Sequence, residues 1–214
     1  MALGADGGAG VRIALLVEGD TERAFVPHLR EFLATRVAGR MPKIDPVPFD
    51  GPLPAGTKLR REVERLLTDG VRAADAVIAL TDVYTGRHDF QDAADARAKM
   101  RLWVGPNQKF FPHAAQHDFE AWLLPYWDVV TRLAGSKAAP PGRHPEHVDL
   151  DRPPAMRIAE VFRTGTAHRH YIKPRDASKI LAGQDLTVAA HACPELRAFL
   201  DTVLTLCGAG QLPP

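Results

Sequence analysis

Short apolar runs that stop at an acidic residue constrain the fold of this chain most. Residues 11–17 form one run, which ends at Glu18, and residues 76–81 form another, which ends at Asp82. A short continuous apolar run that is ended by a turn is typical of a strand buried on both faces. A segment with helical spacing of apolar residues follows each run. Strands that alternate with helices predict a parallel sheet with right-handed crossovers.

Weaker signals complete an α/β pattern. Residues 44–49 predict a strand, and Pro46 and Pro48 indicate that it lies at the edge of the sheet, because proline lacks a backbone N–H donor. Residues 109–114 predict a further strand. A helix that begins at residue 119 is expected to stop near Pro125. Other helices are expected over residues 58–69, 91–102, 155–162, 173–181 and 194–207. We expect three regions: a flexible tail over 1–10, an α/β core over 11–130, and over 131–214 a Pro-rich loop and helical extension packed on the core.

Composition and charge argue against a uniformly basic nucleic-acid-binding surface, a zinc site built from cysteines and a membrane-spanning segment. The 214 residues include 27 basic and 26 acidic side chains and carry a net charge of +1. A nucleic acid would therefore be contacted only through a local basic patch. The two cysteines lack zinc-ligand spacing and suit a reducing cytosol. No apolar window reaches the roughly 18 residues that cross a bilayer. We expect a cytoplasmic protein without a membrane partner, and its oligomeric state stays open.

The acidic residues after the two apolar runs are candidates for chemistry. Open parallel sheets place their ligand sites outside the carboxyl ends of the strands, where Glu18 and Asp82 fall. Oxygen ligands of this kind suit Mg²⁺ or Mn²⁺, and such an ion could bridge phosphate oxygens. The alternative is that each carboxylate caps the next helix or binds loop amides. Gly19 precedes a helix, whose free N–H groups could bind a phosphate.

Two later regions offer further candidates. Glu120 lies near a predicted helix start and shares a face with His117, although a capping arrangement of His117, Asp118 and Glu120 explains the same pattern. Cations near an aromatic side chain suit a phosphate backbone and a stacked base, although a solvated basic face is commoner. The late cations are Arg163, His168, Arg169, His170, Lys173, Arg175 and Lys179, with Tyr171 among them.

Four segments resemble a known family. Residues 17–22, V-E-G-D-T-E, are similar to the V-E-G-x-[ST]-E turn of Toprim-like domains, which is seen in the overcoming-lysogenization-defect nucleases. Residues 80–84 fall where those domains carry a D-x-D. Residues 116–124 and 171–174 resemble blocks of a bacterial Toprim-like domain-of-unknown-function family, number 4276. The resemblance covers roughly 11–185. It implies a Toprim-like (Rossmann-like), mostly parallel sheet flanked by helices, with a C-terminal helical extension.

The resemblance also implies roles for individual residues. Glu18 matches the glutamate of the turn, which is a metal ligand or general acid/base in the broader class, and Glu22 matches the second glutamate. Asp82 matches the first aspartate of D-x-D, but Tyr84 stands where the second is expected. The candidates for the missing carboxylate are Asp89, Asp92 and Glu120.

These observations support three hypotheses. The first is a Mg²⁺-dependent (or Mn²⁺-dependent) phosphoryl-transfer protein, a nuclease acting on DNA or RNA. The resemblance adds an ATPase protein partner and a role in phage defence. The second is a Toprim-like module that binds a protein or a nucleic acid without catalysis, and the third is a nucleotide-binding domain with its phosphate site after Gly19. In the nuclease hypothesis, the metal ligands are Glu18, Asp82 and Glu120. The catalytic residues are Glu18, Glu22 and Lys173. The phosphate-binding residues are Gly19, Arg169 and Lys179.

Overall fold

The computed structural model describes residues 10–49, 51–84, 90–142, 144–147 and 152–213. Within them, four strands form one sheet in the order β2-β1-β3-β4, and every neighbouring pair is parallel. The strands are β1 (Arg12–Val17), β2 (Lys43–Pro48), β3 (Ala76–Asp82) and β4 (Phe110–Ala115). The predicted parallel sheet is confirmed, and the strand with two prolines lies at its edge as expected. Of the predicted tail, residues 1–9 lie outside the described residues.

Helices cover both faces of the sheet because the central strands are apolar on both faces. Ile13, Leu15 and Val17 of β1 point into one core, and Ala14 and Leu16 point into the other. The smaller core is closed by α2 (Thr57–Thr68) and α3 (Ala93–Val104). The larger core is closed by α1 (Asp20–Ala34), α4 (Trp127–Ala134), α5 (Pro154–Thr164), α6 (Lys173–Leu181), α7 (Leu186–Ala192) and α8 (Pro194–Leu206).

Aromatic rings fill the centre of the larger core. Phe25 of α1 lies 5.5 Å from the ring centre of Phe119 and 6.2 Å from those of Trp122 and Phe199. Phe199 belongs to α8, so the first and last helices of the described chain meet at this cluster. The boundary expected at residue 130 stays a prediction, and residues on both sides of it contribute to the same core.

The structure agrees with the expectation at Pro125. A 3₁₀ helix over Phe119–Tyr126 ends one residue after this proline, and α4 begins directly after it. Proline lacks a backbone N–H donor and therefore disfavours continuation of the first helix. The helices α4 and α7, which are only 8 and 7 residues long, were not predicted. No helix in the described ranges is long and apolar enough to cross a membrane.

Gly165 allows α4 and α5 to approach closely at their carboxyl ends. A Cβ atom at this position would collide with the carbonyl oxygen of Ala134 and press on that of Val161. We expect Gly165→Ala to lower the free energy of unfolding by about 2 kcal/mol, because two backbone segments would have to separate. The matched control is Gly210→Ala, whose Cβ would meet nothing within 4 Å. Equal denaturation midpoints for the two variants would show that this close approach does not matter.

Candidate functional site

Acidic side chains gather at one edge of the sheet. Glu18 follows β1 directly, Asp82 is the last residue of β3, and Asp118 follows β4 by three residues. These three strands are neighbours in the sheet and run in the same direction, so their carboxyl ends lie side by side. The edge is the position at which open parallel sheets bind their ligands.

Glu18 links the ends of the two central strands. The Thr81 hydroxyl of β3 donates a hydrogen bond to Glu18 Oε1, and the amide of Leu53 donates a weaker one at 3.5 Å. Burial raises the pKa of Glu18 to about 7 although these hydrogen bonds lower it, and the charge of Glu22 raises it further. A carboxyl group with this pKa exchanges its proton near neutral pH.

Glu22 lies one turn into α1 and is buried. Its Oε2 accepts a hydrogen bond from the amide of Gly19 at 3.1 Å, which satisfies a free donor of the helix start. Burial raises the pKa of Glu22, and the charge of Glu120 adds to the effect. The Gly19 amide is therefore engaged by a carboxylate in this arrangement, and its role in phosphate binding stays a prediction without a supporting contact.

Asp82 lies among the other carboxylates. Burial raises its pKa well above the ordinary value, and the negative charges of Glu22, Glu18, Asp118 and Glu120 raise it further. Like charges shift a pKa in this way only when they are close together. The structure therefore brings the three predicted metal ligands, Glu22 and Asp118 into one group, which we call the carboxylate cluster: Glu18, Glu22, Asp82, Asp118 and Glu120.

Lys173 supplies positive charge to the carboxylate cluster. Its Nζ lies 3.2 Å from Oε2 of Glu120, which is fully buried, and the Tyr171 hydroxyl donates to Oε1 of Glu120 at 3.4 Å. Burial alone would lower the pKa of Lys173, but the charges of Glu120, Asp82 and Asp118 raise it above the ordinary value. Two segments that resemble family blocks, 116–124 and 171–174, thus meet in space.

The sequence analysis treated Asp118 only as a helix cap. The residue is 4% exposed, and its Oδ2 accepts a hydrogen bond from the amide of Ala155 at the start of α5, at 3.1 Å. Its Oδ1 is buried without a hydrogen-bond partner. Burial raises the pKa of Asp118 to about 7, and Glu120 contributes. A usable signal was present, because Asp118 lies shortly after a predicted strand, although not directly at its end as Glu18 and Asp82 do.

Asp92, another candidate for the missing carboxylate, has a different role in the structure. Asp92 caps α3, where its side chain accepts a hydrogen bond from the amide of Asp95 at 2.8 Å. Asp89 lies outside the described residues. Tyr84, which replaces the second aspartate of D-x-D, donates its amide to the carbonyl of His117 at 2.7 Å and so extends the pairing of β3 with the chain after β4. Asp118 therefore offers the carboxylate that Tyr84 lacks.

Two of the predicted phosphate ligands have other surroundings. Arg169 pairs with the fully buried Asp176 at 2.7 Å and stacks 4.4 Å above the centre of the Phe162 ring. Lys179 is exposed on α6, roughly 9 Å along the helix axis from Lys173. No described contact joins either residue to the carboxylate cluster. Their roles in phosphate binding stay predictions.

The side chains of the carboxylate cluster are of the type that binds a divalent cation, but their positions do not yet form a binding site. Five carboxylates, one with a buried oxygen that has no partner, are the ligands that Mg²⁺ and Mn²⁺ prefer. Within the described part of the chain, however, no three His, Cys, Asp or Glu side chains are placed so that they could hold one ion together. Binding a metal ion therefore requires the carboxylate side chains to rotate toward one another.

Comparisons with known proteins were consistent with the fold. A family model described as "Domain of unknown function (DUF4276)" matches residues 17–204. The C-terminal region of the Burkholderia pseudomallei OLD protein superposes with a TM-score of 0.51 and 15% identity, covering 94% of this chain and 100% of that chain. The corresponding region of the Xanthomonas campestris pv. campestris OLD protein has a TM-score of 0.41 and 16% identity, covering 90% of this chain and 97% of that chain. No curated protein matches the sequence. The expected α/β fold is confirmed, and the likeness to the C-terminal region of the Burkholderia pseudomallei OLD protein is a likeness of fold.

Proposed function

This chain belongs to the DUF4276 family, and on that premise we propose that it is a metal-dependent phosphoryl-transfer protein of Toprim type, a nuclease acting on DNA or RNA. The observation that carries the proposal is the carboxylate cluster at the ends of three adjacent strands. Mutual repulsion and burial raise the pKa values of Glu18, Asp82 and Asp118. A divalent cation at this position offsets both effects.

Glu18, Asp82 and Asp118 are the residues that would hold the metal ion, with Glu120 beside them. Asp118 has a free buried oxygen, and the other two lie at the ends of the central strands. A bound Mg²⁺ or Mn²⁺ supplies charge stabilisation to a phosphoryl group and lowers the pKa of a water molecule.

The protein's own side chains supply the remaining functions. In hydrolysis of a phosphodiester, water adds to phosphorus as the ester P–O bond breaks, and the water proton must be accepted. Glu18 is the carboxylate that would accept that proton, which is the role that the family resemblance implies for the glutamate of the turn. Lys173 is held by Glu120 yet is 50% exposed, so its ammonium can also contact a phosphoryl oxygen. Glu22 holds the start of α1 and adds negative charge.

A partner completes the proposal. The similar structure with the TM-score of 0.51 is the C-terminal region of a longer OLD protein. We propose that this chain works beside an ATPase on a separate chain, in the cytoplasm, in defence against phage. Support comes from the family resemblance, and copurification of an ATPase with the tagged chain from its native host tests it.

Metal binding is the direct test of the proposal. We expect Mn²⁺ to bind the protein at micromolar to millimolar concentration in calorimetry. Asp118→Asn, which keeps the shape of the side chain, should weaken binding by about tenfold or more, because ligand charge is lost. The control is Asp69→Asn, at the exposed end of α2, where the strands begin. Absence of binding at about 10 mM Mn²⁺ would refute the proposal.

A Toprim-like binding module without catalysis is the second candidate. Two observations favour it: the missing three-ligand geometry in the described residues, and Tyr84 in place of an aspartate. The two candidates differ in their response to EDTA. A binding module retains its nucleic acid or protein partner in EDTA and shows no metal-dependent cleavage, whereas the nuclease loses cleavage and regains it when Mg²⁺ or Mn²⁺ is restored.

A further inference from the structure

A groove on the outer side of α5 borders the carboxylate cluster at Tyr171. Met156, Ala159, Glu160 and Arg163 line it, and they recur along one face of the helix at the spacing of successive turns. His170 and Tyr171 form the opposite side, and Arg152 closes one end. The groove has a volume of about 430 Å³, which is in the range of sites that hold a small ligand such as one nucleotide.

Tyr171 belongs to both the groove and the cluster. Its ring packs 5.5 Å from the ring centre of Phe162, which fixes its position, and its hydroxyl donates to Glu120. Lys173 is two residues further along and pairs with the same carboxylate. Tyr171 and Lys173 therefore place the groove next to the carboxylate cluster.

The charges and surfaces in the groove indicate its ligand. Arg163 is exposed and forms no ion pair or hydrogen bond in the described residues, so its guanidinium is available to a phosphate. His170 adds a second polar group on the facing side. Met156 is 57% exposed on the helix and presents an apolar surface next to the ring of Tyr171. Sites that bind single-stranded nucleic acids combine cationic side chains that contact the phosphate backbone with aromatic or apolar side chains against which bases stack.

We propose that this α5 groove binds a single-stranded nucleic acid and delivers its backbone to the carboxylate cluster. The proposal rests on the proposed function in taking a nucleic acid as the ligand. A single strand fits better than a duplex because the groove is nucleotide-sized, and because bases must be unpaired to stack on Tyr171 and Met156. Arg163 provides the main phosphate contact. Glu160 lies in the same groove, where Arg152 neutralises it through an ion pair.

The test is fluorescence anisotropy with a labelled oligothymidine of about twelve nucleotides, in EDTA so that metal-dependent cleavage is excluded. We expect Arg163→Ala to weaken binding about fivefold and to reduce the slope of log affinity against log salt by about 0.7, the value for one lost contact with a single strand. The matched control is Arg61→Ala, an equally exposed arginine on α2, on the other face of the sheet. Glu160→Gln should tighten binding about twofold, because Arg152 loses the carboxylate that neutralises it and the groove becomes more positive.

Several outcomes would overturn the inference. These are equal effects of Arg163→Ala and Arg61→Ala, no binding of the single strand by the wild-type protein, or equal sensitivity of a hairpin duplex to Arg163→Ala. Calorimetry with Mn²⁺ on the same variants separates this inference from the proposed function. If strand binding depends on Arg163 but Mn²⁺ does not bind, the groove is supported and the proposed nuclease function is refuted. If Mn²⁺ binds but strand affinity does not depend on Arg163, the groove is refuted and the proposed nuclease function is supported.

Discussion

Replacing Asp82 by asparagine is expected to reduce metal-dependent nicking of supercoiled DNA by about a hundredfold or more. Asp82 ends the central strand β3, burial raises its pKa well above the ordinary value, and four other carboxylates raise it further. A metal ion bound there loses a charged ligand in the variant. The amide has nearly the same shape, so the fold should be retained.

The stability of the same variant makes the result interpretable. Asp82→Asn removes one of several charges that repel each other, so its melting temperature without metal should equal or exceed that of the wild type. Asp69→Asn, at the other end of the sheet, should leave nicking unchanged. Loss of nicking together with a lower melting temperature would mean that Asp82 has a structural role, and full nicking by Asp82→Asn would remove the cluster from the mechanism.

Glu18 and Asp118 together are expected to cost the protein without metal about 6 kcal/mol of stability between about pH 4.5 and pH 7.5. Burial raises the pKa of Glu18 from 4.5 and that of Asp118 from 3.8, each to about 7. The folded state therefore holds these protons more tightly than the unfolded chain does. Their stabilisation is complete below the unfolded pKa values and is lost as the pH rises through the folded ones.

Magnesium should reverse much of this loss. An ion that binds the ionised cluster stabilises the folded state at pH 7.5 and has little effect at pH 4.5, where the carboxyls are protonated. Burial also raises the pKa of Glu146 to about 7, but its carboxylate lies at the start of α8 and holds the amide of Glu195. Its share of the pH dependence should not respond to magnesium. Urea titrations at both pH values, with and without 10 mM Mg²⁺ (about the concentration that fills a weak site), measure the difference. An equal effect of magnesium at both pH values would contradict the prediction.

The positions of Glu18 and Asp82 could be predicted because they depend on local order along the chain. An apolar run followed by an acidic residue fixes where a buried strand stops, and parallel strands place their ends together. The edge position of β2 could also be predicted from local sequence, because Pro46 and Pro48 cannot donate backbone hydrogen bonds to a second neighbouring strand. These inferences needed no knowledge of how helices pack.

The contacts between distant segments could not be predicted from spacing. Lys173 meets Glu120 only because α6 packs against the 3₁₀ helix that carries Glu120, and the angle of that packing depends on many side chains at once. Arg169 looked like part of a phosphate-binding surface, but Asp176 neutralises it, and nothing in the separation of the two residues distinguishes a buried pair from two exposed side chains. The resemblance of segments 116–124 and 171–174 to family blocks indicated that both matter, but not that they touch.

The ring cluster around Phe25 has a consequence for biosynthesis. Phe25 emerges early from the ribosome, but Phe119 and Trp122 follow much later and Phe199 near the end of the described chain. At about 5–20 residues per second, α1 waits on the order of ten seconds or longer for Phe199. During this time β1 and α2 can assemble on the other face, whereas the apolar side of α1 stays exposed to other nascent chains and to chaperones. Slow translation of the second half of the message should therefore lower the yield of folded protein more than slow translation of the first.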